Sequence, residues 1–64
     1  MIRWRKKQGV HTMDTLQRSF YINKEMYHKV WVLTQYNWVS RQWVMPPLSF
    51  RLLRDAKAHV GEVS

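Results

Sequence analysis

Arg3, Trp4, Arg5, Lys6 and Lys7 place four cations and one indole in five consecutive positions, ahead of the first acidic residue, Asp14. Side chains of this kind neutralise phosphates and release condensed counterions, and an indole among them can stack on a base. Lys29, Arg41 and Arg51 are the further cations that would extend such a footprint. The competing reading is a solvated leader, because runs of like charge repel and rarely order alone. The two are compatible, since basic arms often order only when bound.

Catalytic chemistry finds little support. His11, His28 and His59 stand far apart, outside any H-E-x-x-H or similar ligand spacing. The carboxylates Asp14, Glu25, Asp55 and Glu62 are scattered, and no glycine-rich loop cradles a phosphate. Ser40 and Ser49 have turn and cap explanations. A chain of 64 residues could scarcely wall off a water-excluded pocket. The expectation is a protein that is not an enzyme, with no catalytic residues, cofactor, metal or small-molecule substrate.

The elements positioning these residues must come from one small domain. Cysteine is absent, which excludes a disulfide framework or a thiolate zinc site and suits a reducing cytoplasm. Four Trp, three Tyr and two Phe supply large area for burial, so the core is expected to be mainly aromatic. Eleven Lys and Arg against four Asp and Glu give a formal charge of +7, which favours anionic partners. The longest apolar run, Val30-Trp31-Val32-Leu33, is far below the ~20 residues that span a bilayer. No apolar stretch follows the basic start as a secretory signal requires. A soluble cytoplasmic protein without a membrane partner is expected, and Met13 is an alternative to Met1 as the start.

Residues 12–22 carry mixed signals. Thr12 could cap a short helix with Asp14 in its first turn and Met13, Leu16 and Phe20 at helical spacing. Phe20-Tyr21-Ile22 prefers a strand, and Asn23-Lys24-Glu25 reads as a turn. The expectation is a short helix or irregular segment leading into a strand.

Residues 26–45 admit two architectures. As a helix capped by Asn23, Met26, Tyr27, Val30, Leu33 and Thr34 share a face, and a second helix from Ser40 resembles the start of a helix-turn-helix recognition helix. That second helix meets Pro46 and Pro47 after about one turn, where proline costs ~3 kcal/mol. As strands, residues 29–36 and 38–45 are rich in β-branched and aromatic side chains. Val30, Val32, Thr34, Tyr36 and Trp38 then face one side and Trp31, Leu33 and Val39 the other, with Ser40-Arg41-Gln42 as the turn. The strand version is preferred because it uses the Pro pair as a terminator. After it, Leu48, Leu52, Leu53, Ala56 and Val60 share an arc of a helical wheel, with Arg51, Arg54 and Lys57 opposite. A helix over residues 49–60, capped by Ser49 and ended by Gly61, follows.

Tyr36, Arg41, Trp43, Val44, Pro46, Leu48 and Ser49, with Ala56, Lys57 and Ala58, resemble a family of small uncharacterised early-region proteins of lambdoid bacteriophages. In that family a Tyr precedes a Gly-Trp-Val-x-Pro-Gly-Leu-Ser string and a Lys-Ala-containing helix follows. The match covers residues 29–60. Gln42 and Pro47 stand where the family has glycines, which puts the tight turns of those glycines in question. The resemblance implies an accessory early phage protein in a bacterial host cytoplasm and carries no assigned activity.

The expected fold is α+β: an antiparallel hairpin or three-stranded sheet, then an amphipathic helix packed on it. Residues 1–11 form a flexible basic arm and residues 12–64 the single domain. Trp43 is expected as a core anchor and Trp4 as solvent-accessible. Two functions suit this layout. One is nucleic-acid binding through the arm with a sheet or helix face, similar in general layout to the arm-binding domains of phage integrases. The other is a protein-interaction module that binds a host protein or forms a homo-oligomer.

Overall fold

In the computed structural model, which describes residues 3–63, alternating apolar and polar positions from Val10 onward resolve into strands. The strands are β1 (Arg5–Lys7), β2 (Val10–Asp14), β3 (Arg18–Glu25), β4 (Val30–Asn37) and β5 (Gln42–Phe50), and the helix α1 (Leu53–Val63) follows. The fold is α+β: five strands in the order β1-β2-β3-β4-β5, each antiparallel to the next, and one C-terminal helix. None of the helices among the described residues is long and apolar enough to cross a membrane.

Two strands beyond the expected sheet come from residues 5–14. Lys7 pairs with Val10 across the two-residue loop Gln8-Gly9, whose φ angles are 52° and 80°. Positive φ at both central positions matches the right-handed twist of the flanking strands, and glycine adopts it freely. The expected arm is therefore largely the sheet's first hairpin. Its residues 1 and 2 lie outside the described residues.

The helix considered near residue 12 is absent among the described residues, and a second hairpin replaces it. Met13 and Phe20, whose spacing suggested a helical face, are cross-strand partners, while Leu16 at the turn is fully exposed. Thr15 fixes that turn: its Oγ1 accepts from the amides of Gln17 (3.3 Å) and Arg18 (3.0 Å), and its amide donates to the Arg18 carbonyl (2.7 Å).

The chain adopts strands in residues 29–45, but the turn falls at residues 38–41 instead of Ser40-Arg41-Gln42, so Trp38 and Val39 leave the strand, and the expected turn Asn23-Lys24-Glu25 is the end of β3. Side-chain oxygens set the two following turns. Glu25 accepts from the amides of Tyr27 and His28, both at 2.8 Å, and Asn37 accepts from Val39 (2.9 Å) and Ser40 (3.1 Å). Each four-residue loop ends on a residue of positive φ, Lys29 at 55° and Arg41 at 58°. No glycine is used at either place.

Pro46 and Pro47 do not end β5. Leu33 pairs with Leu48 and Gln35 with Val44, so Met45, Pro46 and Pro47 oppose Thr34 in an irregular stretch of the ladder. β5 is an edge strand, where a missing N–H leaves no inner ladder bond broken. The peptide bond between Met45 and Pro46 is cis.

The helix accordingly starts later than residue 49. Its first turn uses the Leu52 carbonyl, which accepts from Asp55 (3.1 Å) and Ala56 (3.3 Å), and Gly61 lies inside it instead of ending it. Ser49 and Leu48 belong to β5. Lys57 is half-buried with its Nζ 5.4 Å from the Trp4 ring centroid, so it does not join the solvated stripe.

The core is aliphatic more than aromatic, contrary to expectation. Met13, Phe20, Ile22 and Leu33 from the sheet enclose Ala56 and Val60 of α1, with Trp4, Trp31, Leu48, Phe50 and Leu53 at the margin. Full burial of side chains such as Ile22 and Leu33 stabilises by roughly 1.5–3 kcal/mol each. An eleven-residue helix covers one sheet face, and the remaining rings have no covered place to go.

Candidate nucleic-acid interface

Cross-strand partners share a face, so the registers sort the side chains. Phe20, Ile22, Leu33 and Met13 define the face under α1, and Thr12, Ser19, Tyr21, Thr34, Tyr36 and Trp43 lie on the other. Among the described residues no element covers this second face.

Four rings form a continuous series there. Trp38 lies 4.7 Å from Tyr36, Tyr36 lies 5.1 Å from Trp43 and Trp43 lies 5.8 Å from Tyr21, measured between centroids. The first two contacts are edge-on, with interplanar angles of 69° and 75°, the arrangement that ring quadrupoles prefer. Trp38 and Trp43 keep 53% and 54% of their surface exposed.

Hydrogen bonds fix Trp38. Its Nε1–H donates to Ser19 Oγ at 2.8 Å, and Ser19 donates to Asp14 Oδ1 at 2.6 Å. The Trp38 amide also donates to the Gln17 carbonyl at 2.8 Å, which ties the β4–β5 turn to the β2–β3 turn.

The expected site residues divide between different parts of the molecule. Arg5 and Lys7 lie on the open face, as partners of Thr12 and Val10, and are exposed. Lys6, partner of His11, lies on the helix side. Arg3 is exposed just ahead of β1. Arg41 is at the β4–β5 turn, two residues before Trp43, whereas Lys29 and Arg51 are at the opposite end of the sheet. They do not converge on one patch.

Two expectations about tryptophan are reversed. Trp4 is half-buried against the core under Lys57, because β1 is part of the sheet, and it offers no free ring beside the cations. Trp43 is not a core anchor; it stands on the uncovered face. Tyr21, Tyr36 and Trp38 were missed as site residues. Their alternation with Phe20, Leu33 and Gln35 was the available signal.

The acidic residues of this face are engaged by neighbours. Asp14 accepts from Ser19, and Glu25 accepts from the turn amides and lies 2.7 Å from His28 Nδ1. The backbone hydrogen bond from His28, then its side-chain hydrogen bond and the Tyr27 amide, hold the Glu25 carboxyl below its usual range. His11 sits edge-on to Trp31 at 5.7 Å, and His59 lies 5.6 Å from Phe50. Burial, then the charges of Lys57 and Lys6, lower the His11 pKa. Among the described residues no three His, Asp or Glu side chains gather as a metal site. An open groove of about 500 Å³ lies elsewhere, between the β2–β3 turn and Val63.

No protein-family model, curated protein or solved structure matches the chain.

Proposed function

We propose that this protein binds nucleic acid through the open face of its sheet, as a small accessory or regulatory protein without catalysis of its own. The observation that carries the reading is the series Trp38-Tyr36-Trp43-Tyr21 on an uncovered face of a chain with charge +7. Base faces stack on such rings, and cations neutralise the phosphates between them. Arg5 and Lys7 are the phosphate contacts on the face itself, and Arg3 and Arg41 extend it. Lys6 and Trp4 leave the footprint because they face the helix side. The resemblance of residues 29–60 to early-region phage proteins suggests a bacterial host cytoplasm as its setting.

Titration with mixed-sequence single-stranded and duplex DNA at about 50 and 200 mM salt tests this. Binding should weaken with a log–log slope of roughly −0.7 to −0.9 per phosphate neutralised. Absence of binding to either form at the lower salt would reject the reading.

One observation favours a second reading, in which the protein is an interaction module. The β5 edge exposes Trp43, Val44 and Met45 beside Val39, whereas the β1 edge carries Arg5, Lys6 and Lys7 in a row. Charged edges deter strand pairing and apolar edges invite it. Concentration-dependent dimerisation in sedimentation, lost on Val44→Lys, would support this alternative.

A further inference from the structure

We infer that the open face takes single-stranded nucleic acid, with unpaired bases stacked on Trp43 and Trp38 and phosphates held by Arg5 and Lys7. The inference rests on the nucleic-acid reading above and narrows it.

A duplex stacks its base faces on one another and offers only phosphates and groove edges, which are read by a protruding helix or a two-stranded ribbon. A ring on a broad sheet face meets a duplex base face only by wedging the stack apart, which costs the unstacking of each step it enters. Exposed indoles serve instead where bases are unpaired, as in proteins that recognise single strands by stacking. On this face the two most exposed rings are Trp43 and Trp38.

The platform is preorganised. Tyr36 props both indoles through edge-on contacts at 4.7 and 5.1 Å, and the bonds from Trp38 to Ser19 and from Ser19 to Asp14 hold one of them in orientation. Immobilised side chains lose little further entropy when a base arrives.

The charge lies where a strand crossing the sheet needs it. Trp43 is on β5 and Arg5 and Lys7 are on β1, four strand intervals or roughly 19 Å away at ~4.8 Å each, and the registers set Arg5 two residues and Lys7 four residues along the strand from the Trp43 row, a further ~7 and ~14 Å. The Trp43 row continues through Tyr36 and Ser19 to the Asp14 carboxylate, which Ser19 engages, while the adjacent row from Arg5 runs through Thr12, Tyr21 and Thr34, so the path from the indoles to Arg5 slants over the Thr hydroxyls beside Asp14. A bound strand therefore runs across the β-strands, with the bases at one end stacked over β4 and β5 and the phosphates of its further nucleotides reaching β1.

Tryptophan-fluorescence titration of the full chain with oligothymidylate, oligouridylate and a mixed-sequence duplex, each of about 12 nucleotides per strand, provides the test. Both single strands should quench the emission and bind at least about tenfold more tightly than the duplex. Trp43→Ala should weaken single-strand binding about tenfold with its circular dichroism unchanged, and Trp43→Phe should restore most of it. Arg5→Gln with Lys7→Gln should flatten the salt slope and leave quenching at saturation intact. Equal or tighter binding of the duplex, or full single-strand affinity in Trp43→Ala, would overturn the inference while leaving nucleic-acid binding standing. No binding of any of the three at low salt would overturn both.

Discussion

Trp38 in the β4–β5 turn and Ser19 on β3 are joined by a 2.8 Å hydrogen bond from the indole to the hydroxyl of a residue only 2% exposed. The same hydroxyl donates to Asp14, so one small buried side chain on β3 links β2 to the β4–β5 turn and orients the outermost ring of the open face.

Ser19→Ala should therefore loosen Trp38 without opening the core. Losing two hydrogen bonds costs about 1–2 kcal/mol, which for a domain of this size lowers Tm by roughly 4–8 °C per kcal/mol. The Trp38 indole N–H resonance should lose its protection from exchange with water. Wild-type protection in the variant would show that the bond does not hold the ring.

Trp4→Ala should destabilise the fold more than Trp43→Ala. Trp4 packs on the core margin beneath Lys57, and its truncation is expected to cost about 2–3 kcal/mol, less than a fully buried Trp. Trp43 makes ring contacts with Tyr36 and Tyr21 while half its surface is in water, so at most ~1.5 kcal/mol is at stake. Thermal melts decide it, and a larger shift for Trp43→Ala would contradict the assignment of faces.

Acid should weaken the fold through His11. Its pKa in the folded protein is lowered from 6.5 by burial and by the charges of Lys57 and Lys6, so the unfolded chain takes up the proton first. Stability is then full above about pH 6.5 and falls as pH drops from there through the lowered folded value. Urea unfolding at about pH 7 and pH 5 should show this loss, and His11→Phe should reduce it. An unchanged pH dependence in that variant would remove His11 as the cause.

Much of the second half of the chain was legible in advance because its local signals agree. Val30, Val32, Thr34 and Tyr36 alternate with Trp31, Leu33 and Gln35, and a period of two is a backbone property that survives any packing. Leu53, Ala56 and Val60 gave the helix for the same reason at a period of 3.6. The basic character and the lack of a bilayer-length apolar run likewise needed composition alone.

Only the tertiary structure decided the rest, because it depended on which elements found partners. Residues 5–7 are three polar cations with no strand signal of their own, and they become a strand because Val10–Asp14 offers a ladder beside them. Met13, Leu16 and Phe20 fit a helix and a hairpin equally well until Met13 and Phe20 meet on one face above Ala56 and Val60. Pro46 and Pro47 read as a stop until β5 lies at the sheet edge, where their missing donors cost no inner bond. Trp4 and Trp43 exchanged their expected places for one reason: a single helix covers one face of a five-stranded sheet, so a ring's burial follows from the side of the sheet it stands on and not from its neighbours in sequence.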